Sequence, residues 1–364
     1  MSEYDIIVNA CSTRKERGLT WDELRLELNE ILGWDNLTPR TYQHYWKQHE
    51  QVLQVDDTLD LIYKETVKSR DRARINTERL RDTARMEVIL DAYREGRTDS
   101  FPVFEIVSTP NGHNKAVIAV NDWHVGANHK NYLGEYSVDI MRDYIEIYLN
   151  RCIADIELFN VDEVLILNLG DLIEGNIHVS TRIQAELDAV EQSILASELL
   201  ANFIGGIYTT GVKVNVGMVL DNHSRIHPNK KDAIEKESFG LLVGEMAKLR
   251  LMINGCHDDI NWIDNEIDNN IGFAHFNGLN IGWVHGHLDD PKNSNAKLDK
   301  LLGVQIDILY SAHYHHLMMK DNIIQCPAMI PSSEYAMDKR LSSRAGQLMT
   351  VFDGETQAHM ITYF

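Results

Sequence analysis

Apolar and polar positions along the chain follow two regimes. In the first hundred residues they recur at helical spacing. After Thr20-Trp21-Asp22-Glu23, which has the order of a capping box, Trp21, Leu24, Leu28, Ile31 and Leu32 fall on one helical face and Gly33 supplies a stop. A second start stands at Thr38-Pro39, with Thr as N-cap and Pro at the first helical position. Tyr42, Tyr45, Trp46 and His49 form its aromatic side, and Arg40, Gln43, His44 and Lys47 its polar side. With a further helix expected over about residues 3–15, this region reads as helix-turn-helix-like or as a plain three-helix packing module. Residues 58–97 hold no proline and one glycine, Gly96, and interleave basic with acidic residues. They predict a long charged helix or a bent pair. Leu59, Ile62, Ala73, Leu80 and Leu90 lie near heptad spacing, but Ser69, Asn76 and Glu87 interrupt the seam.

From Lys115 the regime changes to short apolar runs that end in polar clusters. Residues 116–120 lead into Asn121-Asp122-Trp123-His124, residues 164–169 into Gly170-Asp171-Leu172-Ile173-Glu174, and residues 212–220 into Asp221-Asn222-His223-Ser224-Arg225. Later, residues 281–284 reach His285-Gly286-His287, and residues 306–310 reach Ser311-Ala312-His313-Tyr314-His315-His316. These are strands that deliver side chains to one rim of a sheet. Amphipathic stretches near 135–159, 183–208 and 232–250 predict helices between them, and the runs 347–352 and 358–363, parted by Asp353-Gly354, predict a closing hairpin. Residue usage shifts at the same place: residues 1–100 hold three of 22 Gly, one of seven Pro and two of 16 His. A boundary near Phe101-Pro102 to Pro110-Asn111-Gly112 follows. The expected division is 1–56 helical, 57–100 a charged arm or linker, and 101–364 mixed α/β.

Composition narrows the class. With 364 residues and 44% apolar content, the chain can build cores and is not globally disordered. No apolar run approaches the ~18 residues of a membrane span and the start lacks signal-peptide order, so a cytoplasmic protein with no membrane partner is expected. Cys11, Cys152, Cys256 and Cys326 form no C-x-x-C pair and read as buried small side chains. The net charge is −20, of which residues 101–364 carry −16 (19 basic against 35 acidic). Such a surface repels polyanions, so any nucleic-acid contact must come from local patches.

The strand-end clusters carry the chemistry. Taken in order, Asp122-x-His124, Gly170-Asp171, Asn222-His223, His285 and His313-x-His315 resemble the calcineurin-like metallophosphoesterase superfamily. That resemblance implies a two-sheet β-sandwich flanked by helices and two divalent cations. Asp122, His124, Asp171 and His315 would hold one, and Asp171, Asn222, His285 and His313 the other. Mixed imidazole and carboxylate donors suit manganese, with iron, zinc, magnesium or nickel as alternatives. It further implies that Asp171 bridges the cations, that a water they share attacks the phosphoester, and that His223 assists the leaving oxygen. In the third motif two positions depart from the family pattern: Asp221 stands where Gly is usual and Ser224 where many members carry an acid. Ala312 replaces Gly in the last motif. Arg225 is a phosphate candidate because a guanidinium forks onto phosphate oxygens, and His178 and Arg182 could reach substrate from the loop after Asp171. A surface salt bridge and a plain helix start are their ordinary alternatives. His287, His316, His257, His227 and His129 read as bystanders or as groups behind the ligands.

A helical N-terminal region, a charged arm and this α/β part, in that order, are similar to phage and prophage metallophosphatases described as DNA repair exonucleases. The resemblance implies a nuclease acting on single- or double-stranded DNA in a bacterial host cytoplasm, with Arg40, Gln43, His44 and Lys47 or the arm's arginines on the strand. A homodimer or higher homo-oligomer through the arm is a further expectation. Two alternatives stand beside it: a phosphatase or phosphodiesterase for small nucleotides or phosphoproteins, and a DNA-binding scaffold with a structural metal site.

Overall fold

The computed structural model describes residues 3–33, 37–44, 46–47, 104–108, 110, 112–230, 232–234, 236–256, 259–290, 294–332, 343–354 and 356–364. The chain divides into two units, Met1–Ser100 and Phe101–Phe364. The charged arm over 57–100, the turn residues 34–36, Tyr45, His49, Phe101-Pro102, Asn111 and His257 lie outside the described residues.

In the first unit, α1 (Glu3–Thr13), α2 (Trp21–Leu32) and α3 (residues 39–44) share a small core. Thr20 caps α2 reciprocally: the Glu23 N–H donates to the Thr20 hydroxyl, and the Thr20 N–H donates to Glu23 Oε2 at 2.8 Å. Gly33 ends the helix in the left-handed region at φ 68°. Ile7, Cys11, Leu24, Leu28 and Tyr42 are buried together, and the Tyr42 hydroxyl donates to Asn29 Oδ1 at 2.6 Å. Ile31, expected on the same face, is exposed, because the core is narrow enough to be filled by the Leu24 and Leu28 positions.

The second unit is built on two sheets. Its strands are β1 (Asn114–Val120), β2 (His129–Asn131), β3 (Gly134–Tyr136), β4 (Val161–Asn168), β5 (Lys213–Met218), β6 (Ile260–Ile263), β7 (Ile271–Phe276), β8 (Leu279–Val284), β9 (Ile308–Ser311), β10 (Met318–Lys320), β11 (Ile323–Gln325), β12 (Gly346–Asp353) and β13 (Thr356–Tyr363). The helices are α4 (Val138–Leu158), α5 (Val179–Gln184), α6 (Ala189–Tyr208), α7 (Phe239–Ile253) and α8 (Ser294–Leu302). One sheet has the order β13-β12-β1-β4-β5-β6 and the other β10-β11-β9-β8-β7, with β2 and β3 a separate hairpin. Strands β1, β4, β5 and β6 run parallel, as do β8, β9 and β11, while β12 and β13 close the first sheet as an antiparallel pair.

Period-two alternation sets the layers. Ala116, Ile118 and Val120 of β1, with Val164 and Ile166 of β4, pack on Tyr148 of α4, Phe203 of α6 and Leu251 of α7. The intervening Val117, Ala119, Leu165 and Leu167 face Ile281, Trp283, Ile308 and Tyr310 of the second sheet. The far side of that sheet packs Val284 and Leu309 on Leu298 of α8. Trp283 fits between the sheets because Gly217 and Gly272 lack side chains: a Cβ at either would lie 2.3 Å or less from its ring. The fold is therefore a two-sheet sandwich flanked by helices, as the family resemblance implies. All four cysteines are buried and free, and among the described residues no helix is long and apolar enough to cross a membrane.

Candidate metal centre

Parallel strands end together, and here the ends of β1, β4 and β5 in one sheet meet those of β8 and β9 in the other. The β1 and β4 loops remain zipped beyond their strands. Asp122 N donates to Gly170 O (3.0 Å), His124 N to Asp171 O (3.0 Å) and Val125 N to Leu172 O (2.8 Å). From the side, the buried Gln347 amide binds the backbone of Asn121 and Pro327, and Asn121 Nδ2 donates to Asp122 Oδ2 at 2.7 Å. In the second sheet Ala312 N donates to His285 O at 2.8 Å. These bonds hold unusual backbone: Asp122, His124, Asp171, His313 and His315 all have φ between 47° and 69°. Each costs of order 1 kcal/mol or more for a non-glycine residue and persists only where its surroundings fix it. Gly170, at φ 94°, leaves room for its neighbours, since a Cβ there would fall 2.6 Å from Asp221 Cβ and 3.1 Å from His285 Nδ1.

Potential ligand atoms of Asp122, His124, Asp171 and His315 lie within 4.8 Å of one another, as do those of Asp171, His285 and His313. Asn222 joins the second group, with Oδ1 3.0 Å from His285 Nε2. Asp171 is common to both. Its Oδ2 lies 3.1 Å from His285 Nε2 and 4.0 Å from His124 Nε2, and its Oδ1 accepts the His223 N–H at 3.1 Å. His315 Nε2 is 3.7 Å from Asp122 Oδ1.

The donor set fits a pair of cations. Asp122 Oδ1, His124 Nε2 and Asp171 Oδ2 are buried and make no well-formed hydrogen bond. His285 donates its Nδ1–H to Leu169 O at 2.8 Å, so a neutral ring turns its Nε2 lone pair toward two oxygen acceptors, a contact only a proton or a cation reconciles. Without a cation the proton takes that place. Burial would lower the His285 pKa, but the Asp171 carboxylate, with Asp122 and Asp221 near, carries it to about 10. Burial likewise opposes protonation of His124, and the Glu174 carboxylate overrides it, raising the pKa to about 9. Burial and the neighbouring cationic rings hold His313 at about 4 and His315 at about 3, which leaves both as neutral imidazoles, the form that binds metal. Asp171 is pushed below the carboxylate range because His285, His223 and His124 outweigh its burial, whereas burial dominates at Asp122 and raises it.

Glu174 is the main group that motif reading left without a role. Its Oε2 accepts the His124 Nδ1–H at 2.8 Å and fixes that ring's tautomer with Nε2 free, while its backbone oxygen lies 2.8 Å from His223 Nδ1. The only signal was an acid three residues after Asp171, at a strand end. Asp221 and Ser224, the departures, do not engage the His223 ring. Asp221 accepts the Ser224 N–H (2.7 Å) and hydroxyl (2.9 Å) and so closes the turn that presents Asn222 and His223. Burial, then the Asp171 charge, raise Asp221 to about 6.

The remaining sequence candidates lie around this centre or apart from it. The His223 ring stands 4.6 Å from that of His124, and the exposed His178, at the start of α5, 5.8 Å from His223. Arg182, one turn further along α5, is exposed. Arg225 Nη2 donates to Pro228 O at 3.2 Å. His287 sits 5.3 Å from the His285 ring. Arg40, Gln43, His44 and Lys47 are all exposed within the first unit.

No family model matches the chain. Among curated proteins it is 21% identical over 385 residues to the SPbeta prophage-derived uncharacterized protein YonJ of Bacillus subtilis (strain 168), covering 95% of this chain and 92% of that one. Solved structures similar to it include Vps29 of Chaetomium thermophilum (TM-score 0.29, 8% identity, 68% of this chain and 95% of that chain). They also include a 5'-nucleotidase from Staphylococcus aureus (0.33, 9%, 69% and 53%) and the purple acid phosphatase PPD1 of yellow lupin (0.33, 11%, 65% and 34%). With scores of this size, the fold class rests on the strand order and layering of the chain itself.

Proposed function

We propose that the chain is a dimetal phosphoester hydrolase. Asp122, His124, Asp171 and His315 would hold one divalent cation and Asp171, Asn222, His285 and His313 the other, manganese being the best match to these donors. The observation that carries this reading is the set of buried atoms Asp122 Oδ1, His124 Nε2 and Asp171 Oδ2, which face one another's groups without a well-formed hydrogen bond and are surrounded by residues held in the left-handed region. Cations bound there would neutralise phosphoryl oxygens and lower the pKa of water. The chain's own residues supply the rest. Glu174 fixes the His124 tautomer, and its backbone oxygen takes the His223 Nδ1–H. His223 Nε2 is then the atom left to hold a proton and pass it to the departing oxygen. His178 and Arg182, on one face of α5, and Arg225 supply substrate contacts.

Within this class we read the substrate as a DNA phosphodiester. An exposed cationic and amide row, Arg40, Gln43, His44 and Lys47, on a compact helical unit supports that reading. So does the full-length similarity to a prophage-derived protein. The −16 balance of residues 101–364 favours a second reading, hydrolysis of a small nucleotide. Incubation with manganese and single-stranded DNA, double-stranded DNA, an aryl phosphodiester and an aryl phosphomonoester separates the two. Cleavage of DNA and the aryl diester is expected. Hydrolysis of the aryl diester without DNA would overturn the nuclease reading, and no hydrolysis at all would overturn the class. His223→Ala should lower kcat by roughly 10²–10⁴ while manganese still binds, which a scaffold with a structural metal would not show.

A further inference from the structure

Adjoining the second ligand group at Asn222 lies a cavity of about 200 Å³, lined among others by Asp221, Asn222, Arg225, Lys230, Ser238 and His287. Its charge is opposite in sign to that of the chain, whose net charge is −20. Arg225 and Lys230 are cationic, and Ser238 is the N-cap of the 15-residue helix α7, so the positive end of that helix lies at the cavity wall. Among the described residues the one lining carboxylate, Asp221, has its oxygens engaged by Ser224. Two buried nitrogens of lining residues, Arg225 Nε and His287 Nδ1, have no hydrogen-bond partner among the described residues. An orphaned guanidinium N–H is costly unless something completes it. The walls are fixed: Phe239 N donates to Ser224 O at 2.7 Å and Ile226 N to Glu237 O at 3.2 Å, pinning the segment after His223 to the start of α7. Ile234 and Leu288, both more than half exposed, add apolar surface at the rim, suited to the carbon skeleton of an organic phosphate rather than to a bare ion.

We infer that this cavity is a second phosphate subsite, in which Arg225, Lys230 and His287 hold a phosphate group adjoining the one hydrolysed, so that the preferred substrate carries at least two phosphates. The inference rests on the hydrolase reading of the adjoining centre and deepens it. Two compound types have this chemistry: an oligonucleotide, through its neighbouring phosphodiester, and a nucleoside polyphosphate.

Two measurements test it. In the first, inorganic phosphate is titrated by calorimetry into the full chain after chelation, when no cation competes for it. Binding should occur, and Arg225→Gln and Lys230→Gln should each weaken it about tenfold or more, the scale of one charge-assisted hydrogen bond. Lys230 is exposed, so its variant keeps the test decisive if Arg225→Gln does not fold. An absence of phosphate binding, or binding unaltered in both variants, overturns the subsite. In the second, KM is measured with manganese for an aryl phosphodiester, a 5'-phosphorylated thymidine dinucleotide and adenosine diphosphate. The variants should raise KM for at least one two-phosphate compound about tenfold more than for the aryl diester, and the compound affected identifies the source of the second phosphate. Equal effects on all three overturn the assignment. If none is hydrolysed the hydrolase reading fails, and the calorimetric result still decides whether the cavity takes phosphate.

Discussion

Asp171 shows how much one side chain does at this centre. One oxygen takes the His223 backbone N–H and the other faces His285 and His124, so the residue ties both candidate ligand groups to His223. The carboxylate of Glu174 bonds His124 and lies 4.0 Å from His223 Nδ1, which makes it a positioning group with a measurable signature. Glu174→Ala should weaken manganese binding by roughly 10- to 100-fold, read by titration of the manganese paramagnetic signal. Glu174→Gln should lose less, because an amide oxygen still accepts from Nδ1–H. Equal affinity in Glu174→Ala and the parent would contradict the role. Gly170→Ala places a Cβ against Asp221 and His285 at a left-handed φ and should cost about 2 kcal/mol or more in denaturant unfolding. At this scale the sequence was only partly legible. The aspartates and histidines that converge were visible from their strand-end positions. Glu174, by contrast, works through a contact with His124, 50 residues away, that no local spacing displays.

At the scale of elements, the β1, β4 and β5 ladder is tied together at its far end by Glu163. This side chain pairs with Lys115 on one neighbouring strand and, at 2.9 Å, with Lys213 on the other, and accepts from Asn215 at 3.0 Å. Burial would raise its pKa, but the hydrogen bonds from Lys115, Lys213 and Asn215 outweigh that and hold it at about 2. A depressed carboxylate stabilises the fold at pH values above its unfolded pKa, and that stabilisation is lost as pH falls toward 2. Glu163→Gln should therefore lower stability by about 1 kcal/mol near neutrality, after solvent screening, and flatten the loss between about pH 4.5 and pH 2, as followed by denaturant midpoints. A parallel acid limb in both proteins would contradict it. The elements themselves were the most legible level. Apolar runs became β1, β4, β5, β8 and β9, the closing hairpin became β12 and β13, and the capping box opens α2. Which sheet each strand joins, and the seat of Trp283 between Gly217 and Gly272, depend on pairings distant in sequence and were not.

For the molecule as a whole, charge decides what can approach. A chain of net −20 gathers buried imidazoles and carboxylates at one rim, with a cationic cavity beside them, and leaves a small helical unit with an exposed basic row. An acidic body draws divalent cations toward such a rim and makes recognition of any phosphate compound depend on local patches. The most direct test is an anomalous difference map at the manganese edge from crystals of the full chain grown with manganese. Two peaks are expected, one among Asp122, His124, Asp171 and His315 and the other among Asp171, Asn222, His285 and His313, with Asp171 touching both. No peak within reach of Asp171 would contradict the account.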